Sequence, residues 1–345
     1  MNSKKLNLNI NPLVSLLTSL FVCGKNAVYK SKDIAYRLVQ SAVHGQSLEA
    51  MYKLTQYLSA DRMLSKLHEL CEEDIRKIIL KCNRKLTLPK SVMLAIDFTE
   101  KEYYGDKNHP NTIGSKKGRY VNRHIQVSTV KPALFIDAMH VDQFNHDKET
   151  LLIKLLGAFS RQFEKTSIKL LLLDKGFYTK KVIKLLIANK IPFIMPVIRD
   201  KRIQREIKAF RRGEISNKIK YQFGDSKINL LFLKIEDDVL VYATNTRKNV
   251  LSVHILYAKR WQIETNFREQ HRFTFKTCTR DFMVRYFVFA LAGLLFNAWQ
   301  LTRKITCYSM ESYLFKQVLM EELLKVWQKI SKRDVVKSID YFLVA

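Results

Sequence analysis

The chain has 345 residues, and its 60 Lys and Arg outnumber 32 Asp and Glu, giving a net charge of +28 and a pI near 9.8. Apolar residues make up 47% and charged residues 27%, which excludes wholesale disorder, while 10 Gly and 6 Pro exclude collagen-like and low-complexity architectures. A folded chain this basic points to a polyanionic partner, nucleic acid before an anionic membrane surface, and its length suggests two or three domains.

Near the N-terminus, residues 13–24 are apolar behind Lys4 and Lys5, the outline of a short signal-peptide core, but no convincing cleavage site follows. Residues up to about 90 read as helices. Ser31 is placed to cap a helix reaching Val43, Gly45 marks a turn, and Ser47 opens a second helix. This helix–turn–helix outline fits both a DNA-contacting unit and a plain helical bundle. Met63, Leu64, Leu67, Leu70 and Ile75 predict one longer helix over 60–82, and residues 83–90, with Pro89, read as a linker. Five cysteines (Cys23, Cys71, Cys82, Cys278 and Cys307) form no C-x-x-C pair. Free thiols in a reducing compartment are expected, not a disulfide frame or zinc site.

From residue 91 the pattern changes. Residues 91–97 (SVMLAID) are a short apolar run ending in an acid, 119–130 and 132–139 read as two strands, and 147–163 has helical apolar spacing. Residues 168–174 (IKLLLLD) repeat the apolar run ending in an acid, followed by an amphipathic helix over 179–190 and a strand over 191–197. Such a strand–helix–strand series makes parallel strands. Residues 199–212 are basic, and three period-two segments then run to about residue 243. Helices follow over 250–272, 282–301 and 310–330. Residues 286–299 are nearly all apolar but number only 14, too few for a membrane span of about 20 residues, so a core helix and no membrane partner are expected. The reading is thus an α/β chain: an N-terminal helical domain (1–90), an α/β domain (91–198 and 250–305), a β-rich insertion (199–249) and a C-terminal helical region (306–345).

Two buried-type strands end in Asp97 and Asp174. An acid closing an apolar strand is costly unless solvated, paired or bound to a cation, and ligands of parallel sheets bind at the carboxyl ends of the strands. Two such acids on neighbouring strands suit Mg²⁺, which takes oxygen ligands. Tyr257, Arg260 and Glu264 are spaced to share one helix face. Arg260 is placed either to orient the Glu264 carboxylate or to grip a phosphate, and an ordinary solvated Arg–Glu pair, with Arg268 one turn on, has the same spacing.

Taken together, Asp97-Phe-Thr, the Leu173-Asp174-Lys-Gly-Phe-Tyr block and the Tyr-x-x-Arg-x-x-x-Glu of residues 257–264 resemble the DDE transposases of prokaryotic insertion sequences, most nearly their Y-R-E-K group of insertion-sequence-four type. The resemblance spans about residues 91–299. It implies a ribonuclease-H-like mixed sheet flanked by helices and interrupted between the second Asp and the Glu, where 90 residues intervene. It implies that Asp97, Asp174 and Glu264 hold two Mg²⁺ ions, with Mn²⁺ able to substitute, for cut-and-paste phosphoryl transfer on DNA. Transposon ends and target DNA are the implied partners, as double-stranded DNA bound by a homodimer in the cytoplasm, associated with the nucleoid. The lysine of the Y-R-E-K pattern falls on His271 here, which leaves Lys276, Arg268 and Arg272 nearby. Further DNA contacts are expected from Tyr257 and Arg260, from the Gly- and Lys-rich loop bearing Lys116, Lys117 and Arg119, and from Arg202, Arg205, Arg211 and Arg212 of the insertion. A catalytically inactive, domesticated DNA-binding relative is the alternative.

Overall fold

A computed structural model describes residues 11–106, 108–114, 118–144, 146–306 and 310–330. In chain order the elements are α1 (Asn11–Thr18), α2 (Ser31–His44), α3 (Leu48–Thr55), α4 (Ala60–His68), α5 (Glu72–Asn83), β1 (Ser91–Glu102), β2 (Ile113–Gly114), β3 (Tyr120–Thr129), β4 (Leu134–Val141) and α6 (Lys148–Gln162). There follow β5 (Ser167–Leu173), a 3₁₀ turn (Lys175–Phe177), α7 (Lys180–Ala188), β6 (Phe193–Pro196), α8 (Lys201–Arg211), β7 (Lys218–Phe223), β8 (Ser226–Ile235) and β9 (Asp238–Thr244). Helices α9 (Val250–Ala258), α10 (Trp261–His271), α11 (Phe282–Thr306) and α12 (Ser312–Ile330) complete the chain. They form two compact units, Leu86–Phe267 and a second made of Met1–Lys85 with Arg268–Ala345.

The second unit is helical throughout its described residues. Ser47 caps α3 by accepting the Ala50 N–H at 3.1 Å, and Gly45 turns the chain out of α2 at φ +66°, a left-handed conformation that costs glycine little. Of the helix–turn–helix outline, α2 is a central packing helix, with Ala35, Leu38, Val39 and Ala42 fully buried. The single helix expected over 60–82 is two. It stops at His68, and α5 begins behind Cys71, whose backbone N–H donates to Asp74, with Glu72, Glu73 and Asp74 crowding the positive first turn. The apolar stretch of α11 is long enough to span a membrane by composition, yet 83% of it is buried inside the protein, against α2, α4 and α5. That packing groups α11 with the N-terminal helices, whereas the sequence reading placed it with the sheet.

The first unit is built on one nine-stranded mixed sheet, ordered β2-β3-β1-β5-β6-β9-β8-β7, with β4 also paired to β3. β1–β5 and β5–β6 are parallel, and the other pairings are antiparallel. Parallel strands must be covered on both faces, which is why Leu94, Ile96, Leu171 and Leu173 are as apolar as Ala95 and Leu172 on the other side. The segment read as a separate β-rich insertion continues this sheet: β9 pairs with β6, and Leu231 and Tyr242 share a buried cluster with Ala95, Leu172, Ile194, Val253 and Ile263. Its basic stretch is a helix, α8, capped by Asp200, which accepts from the Arg202 and Ile203 N–H groups.

Candidate active site

The parallel ladder between β1 and β5 ends at the pair Ile96↔Leu173. The next residue on each strand is an acid, Asp97 and Asp174. The sequence reading ended β1 at Asp97, but the strand continues to Glu102 because β3 remains paired with it as far as Glu102↔Val121. Asp97 therefore stands where β1 loses one neighbour and keeps the other. Asp174 caps the 3₁₀ turn, with its Oδ2 accepting weakly from the Gly176 N–H at 3.4 Å, and the Lys148 ammonium donates to the Gly176 carbonyl. A Cβ on Gly176 would stand 3.4 Å from that carboxylate oxygen and 3.9 Å from the Lys148 nitrogen, so Gly176 keeps this corner open.

The third acid arrives on helices that pack on the sheet through Val250, Val253 and Ile263. One continuous helix was expected; instead the chain breaks at Lys259–Arg260. There Arg260, Gln262 and Ile263 donate to carbonyls three residues back, the tighter 3₁₀ pattern in which residues i and i+3 eclipse. The Arg260 guanidinium accordingly lies over the Tyr257 ring, 5.6 Å from its centroid. It reaches two carboxylates at once, donating through one nitrogen to Asp97 and through the other to Glu264 at 2.6 Å. Its Nε is buried and has no hydrogen-bond partner among the described residues.

Burial drives the Asp97 pKa up to about 6, against the pull of Arg260 and the Phe98 N–H, with Asp174 and Glu264 adding to the rise. Burial likewise raises the Tyr257 phenol. Burial works against the Arg260 charge, yet Tyr257, Asp97 and Glu264 together hold its pKa above the ordinary arginine value.

A cleft of about 1020 Å³ opens beside the acids. Asp97, Asp174 and Gly176 line it, together with Arg119, Arg123, His146 and Lys148. Arg123 pairs with Glu100 and Arg119 with Glu102 along the overhanging end of β1. Three carboxylates are the donor set a hard divalent cation takes. Even so, among the described residues no three His, Cys, Asp or Glu side chains are grouped as a metal site, and two of these three carboxylates are held by Arg260.

The other expected contacts are dispersed. Arg202 and Arg205 are exposed on α8 and make no ion pair among the described residues, whereas Arg211 donates to the Asp237 carbonyl at 2.8 Å and Arg212 pairs with Glu214 at 2.6 Å. His271 lies two turns beyond Glu264 on α10 and is bonded to Thr274. Arg268 and Lys276 are exposed in the helical unit. Lys116 and Lys117 lie outside the described residues. The sequence reading missed Arg123 and Lys148. Their only linear signal is a cation on a strand and a cation behind an Asp helix cap, and neither marks proximity to the acids.

The family described as "Transposase DDE domain" matches residues 89–292, more than half of the chain. The chain belongs to this family. Its fold is similar to that of a piggyBac transposase solved by cryo-electron microscopy as a synaptic complex with hairpin DNA: TM-score 0.67, 13% identity, 97% of this chain and 84% of that one covered. The likeness is one of fold, a ribonuclease-H-like mixed sheet with helices on its faces. A Drosophila P element transposase strand transfer complex also aligns, at 13% identity over 91% of this chain and 70% of that one, but with a TM-score of only 0.32. No curated protein matches the sequence.

Proposed function

We propose that this transposase is a cut-and-paste enzyme of insertion-sequence type, of the Y-R-E-K group, which cleaves double-stranded DNA at its element's ends and joins them to target DNA. The observation that carries the reading is the pair of acids leaving one parallel ladder side by side, with a guanidinium linking the first of them to Glu264. Asp97, Asp174 and Glu264 are the residues that would hold divalent ions, Mg²⁺ by preference. Held there, such ions would supply activation of the attacking oxygen and stabilisation of the leaving oxygen in an in-line displacement. Around them the chain's own residues have separate tasks. Arg123 and Lys148 neutralise the phosphates that approach the carboxylates, and Gly176 leaves room for the DNA backbone beside Asp174. The net charge of +28 supplies the sequence-independent part of the affinity. A homodimer would hold two ends together.

A second reading, a DNA-binding relative without catalysis, is favoured by the occupation of two carboxylates by Arg260. The two readings part in one experiment. The purified protein is incubated with DNA carrying the ends that flank its coding sequence. With Mg²⁺ or Mn²⁺, nicked ends and joined products are expected, and Asp97→Asn or Glu264→Gln removes both while end binding stays within about threefold, since phosphate contacts dominate affinity. Wild-type binding without any nicking in either metal supports the second reading.

A further inference from the structure

We infer that Arg260 is a resident counter-cation of the acid cluster. Its guanidinium bridges Asp97 and Glu264, and it must release them for those carboxylates to hold divalent ions. The inference rests on the proposed DNA-cleaving reading for what is loaded. Its own basis is local geometry.

Three observations support it. One guanidinium donates to both carboxylates, through separate nitrogens. The guanidinium side chain is 12% exposed and that of Asp97 14%, so this half of the bridge is enclosed, while Glu264 at 35% is the half open to solvent. The third nitrogen, Nε, is buried and has no hydrogen-bond partner among the described residues. An unmet buried donor is unfavourable, because its hydration is lost without replacement. The bridge therefore stores an incentive for the guanidinium to leave for a partner offering more acceptors. A DNA phosphate is such a partner, because a planar guanidinium binds it through two parallel hydrogen bonds. Arriving phosphate and arriving metal then favour the same displacement of Arg260. Two ligands that favour one rearrangement reinforce each other's binding, whichever arrives first.

The test measures Mn²⁺ binding to the full-length, DNA-free protein by the loss of the free-ion electron paramagnetic resonance signal, so it needs no activity. Arg260→Gln removes the bridge and should bind Mn²⁺ about tenfold or more tightly than wild type, within the usual range of coupling between sites. Arg260→Lys keeps the charge but cannot fork across two carboxylates, so a smaller gain is expected from it. It also stands as the measurement should Arg260→Gln fail to fold, which thermal unfolding checks. The added mutation Asp97→Asn should cancel the gain. Equal or weaker Mn²⁺ binding by Arg260→Gln, with wild type still binding, overturns the bridge and leaves the cleavage reading standing. Arg260→Lys matching wild type while Arg260→Gln gains would reduce the effect to charge alone and also overturn it. Absence of Mn²⁺ binding in every variant counts against the cleavage reading itself.

Discussion

The parallel strands of the sheet and its antiparallel extension treat polar groups in opposite ways. β1 and β5 are covered on both faces, so their interiors tolerate only apolar residues, and polar chemistry is pushed to the point where the ladder stops. Asp97 and Asp174 stand there, one residue beyond the last pair. β7 ends the extension as a half-exposed edge strand, and that region carries its charge diffusely, with 13 Lys and Arg against 7 Asp and Glu over residues 199–249, many of them on α8. A covered ladder concentrates charge into a point. An edge with one open side spreads it over a surface. The first arrangement suits chemistry on one bond and the second suits holding a long polyanion.

The largest effect should separate the two regions. Asp174→Asn is expected to lower Mg²⁺-dependent nicking at least about a thousandfold, a loss of about 4 kcal/mol in transition-state stabilisation. Arg202→Ala with Arg205→Ala should leave nicking at saturating DNA within about threefold. Comparable losses from both would erase the contrast. Next in size is a stability test of whether the extension is separate at all. Leu231 on β8 is fully buried in the cluster that includes Ala95 and Ile263, so Leu231→Ala should cost about 2–5 kcal/mol in urea unfolding. A cost below about 1 kcal/mol would make the extension an appendage.

A third test uses the acid end alone. The Asp97 pKa is raised, so the folded state favours its neutral form, and stability contributed by that form is lost as pH rises from about 4 to about 6. Asp97→Asn should therefore raise unfolding free energy at pH 8 by no more than about 3 kcal/mol, read as a higher melting temperature, with the gain vanishing near pH 4. A gain that does not depend on pH would assign the effect to packing. The smallest effect is a slope. Arg202 and Arg205 make no ion pair among the described residues, so removing both should reduce the dependence of log affinity on log salt by about two. Removing Arg211 and Arg212, which already have protein partners, should add little.

What the sequence disclosed follows from range. The runs around Ile96 and Leu172 are legible because parallel strands are apolar on both sides, and the acids that end them are legible as exceptions. The spacing of Tyr257, Arg260 and Glu264 is legible because it is local. The break at Lys259–Arg260 carries no Gly or Pro and could not be read. The overhang of β1 depends on a non-local partner, as does the pairing of β9 with β6, which turned an apparent insertion into part of the sheet. Lys148 reaches the Asp174 corner only through folding, and α11 is apolar whichever neighbours it covers.

The division of the chain into two units bears on its birth. Helices α1–α5 leave the ribosome before two elements they pack against, α11 and α12, which follow only after the 86–267 unit has been made. At about 5–20 residues per second, that delay is roughly 10–40 s. The sheet unit, contiguous in sequence, gains its partners as it is made, while α2, α4 and α5 hold the face that α11 will cover. The nascent chain is thus exposed to aggregation through α1–α5 until α11 and α12 arrive to cover that face.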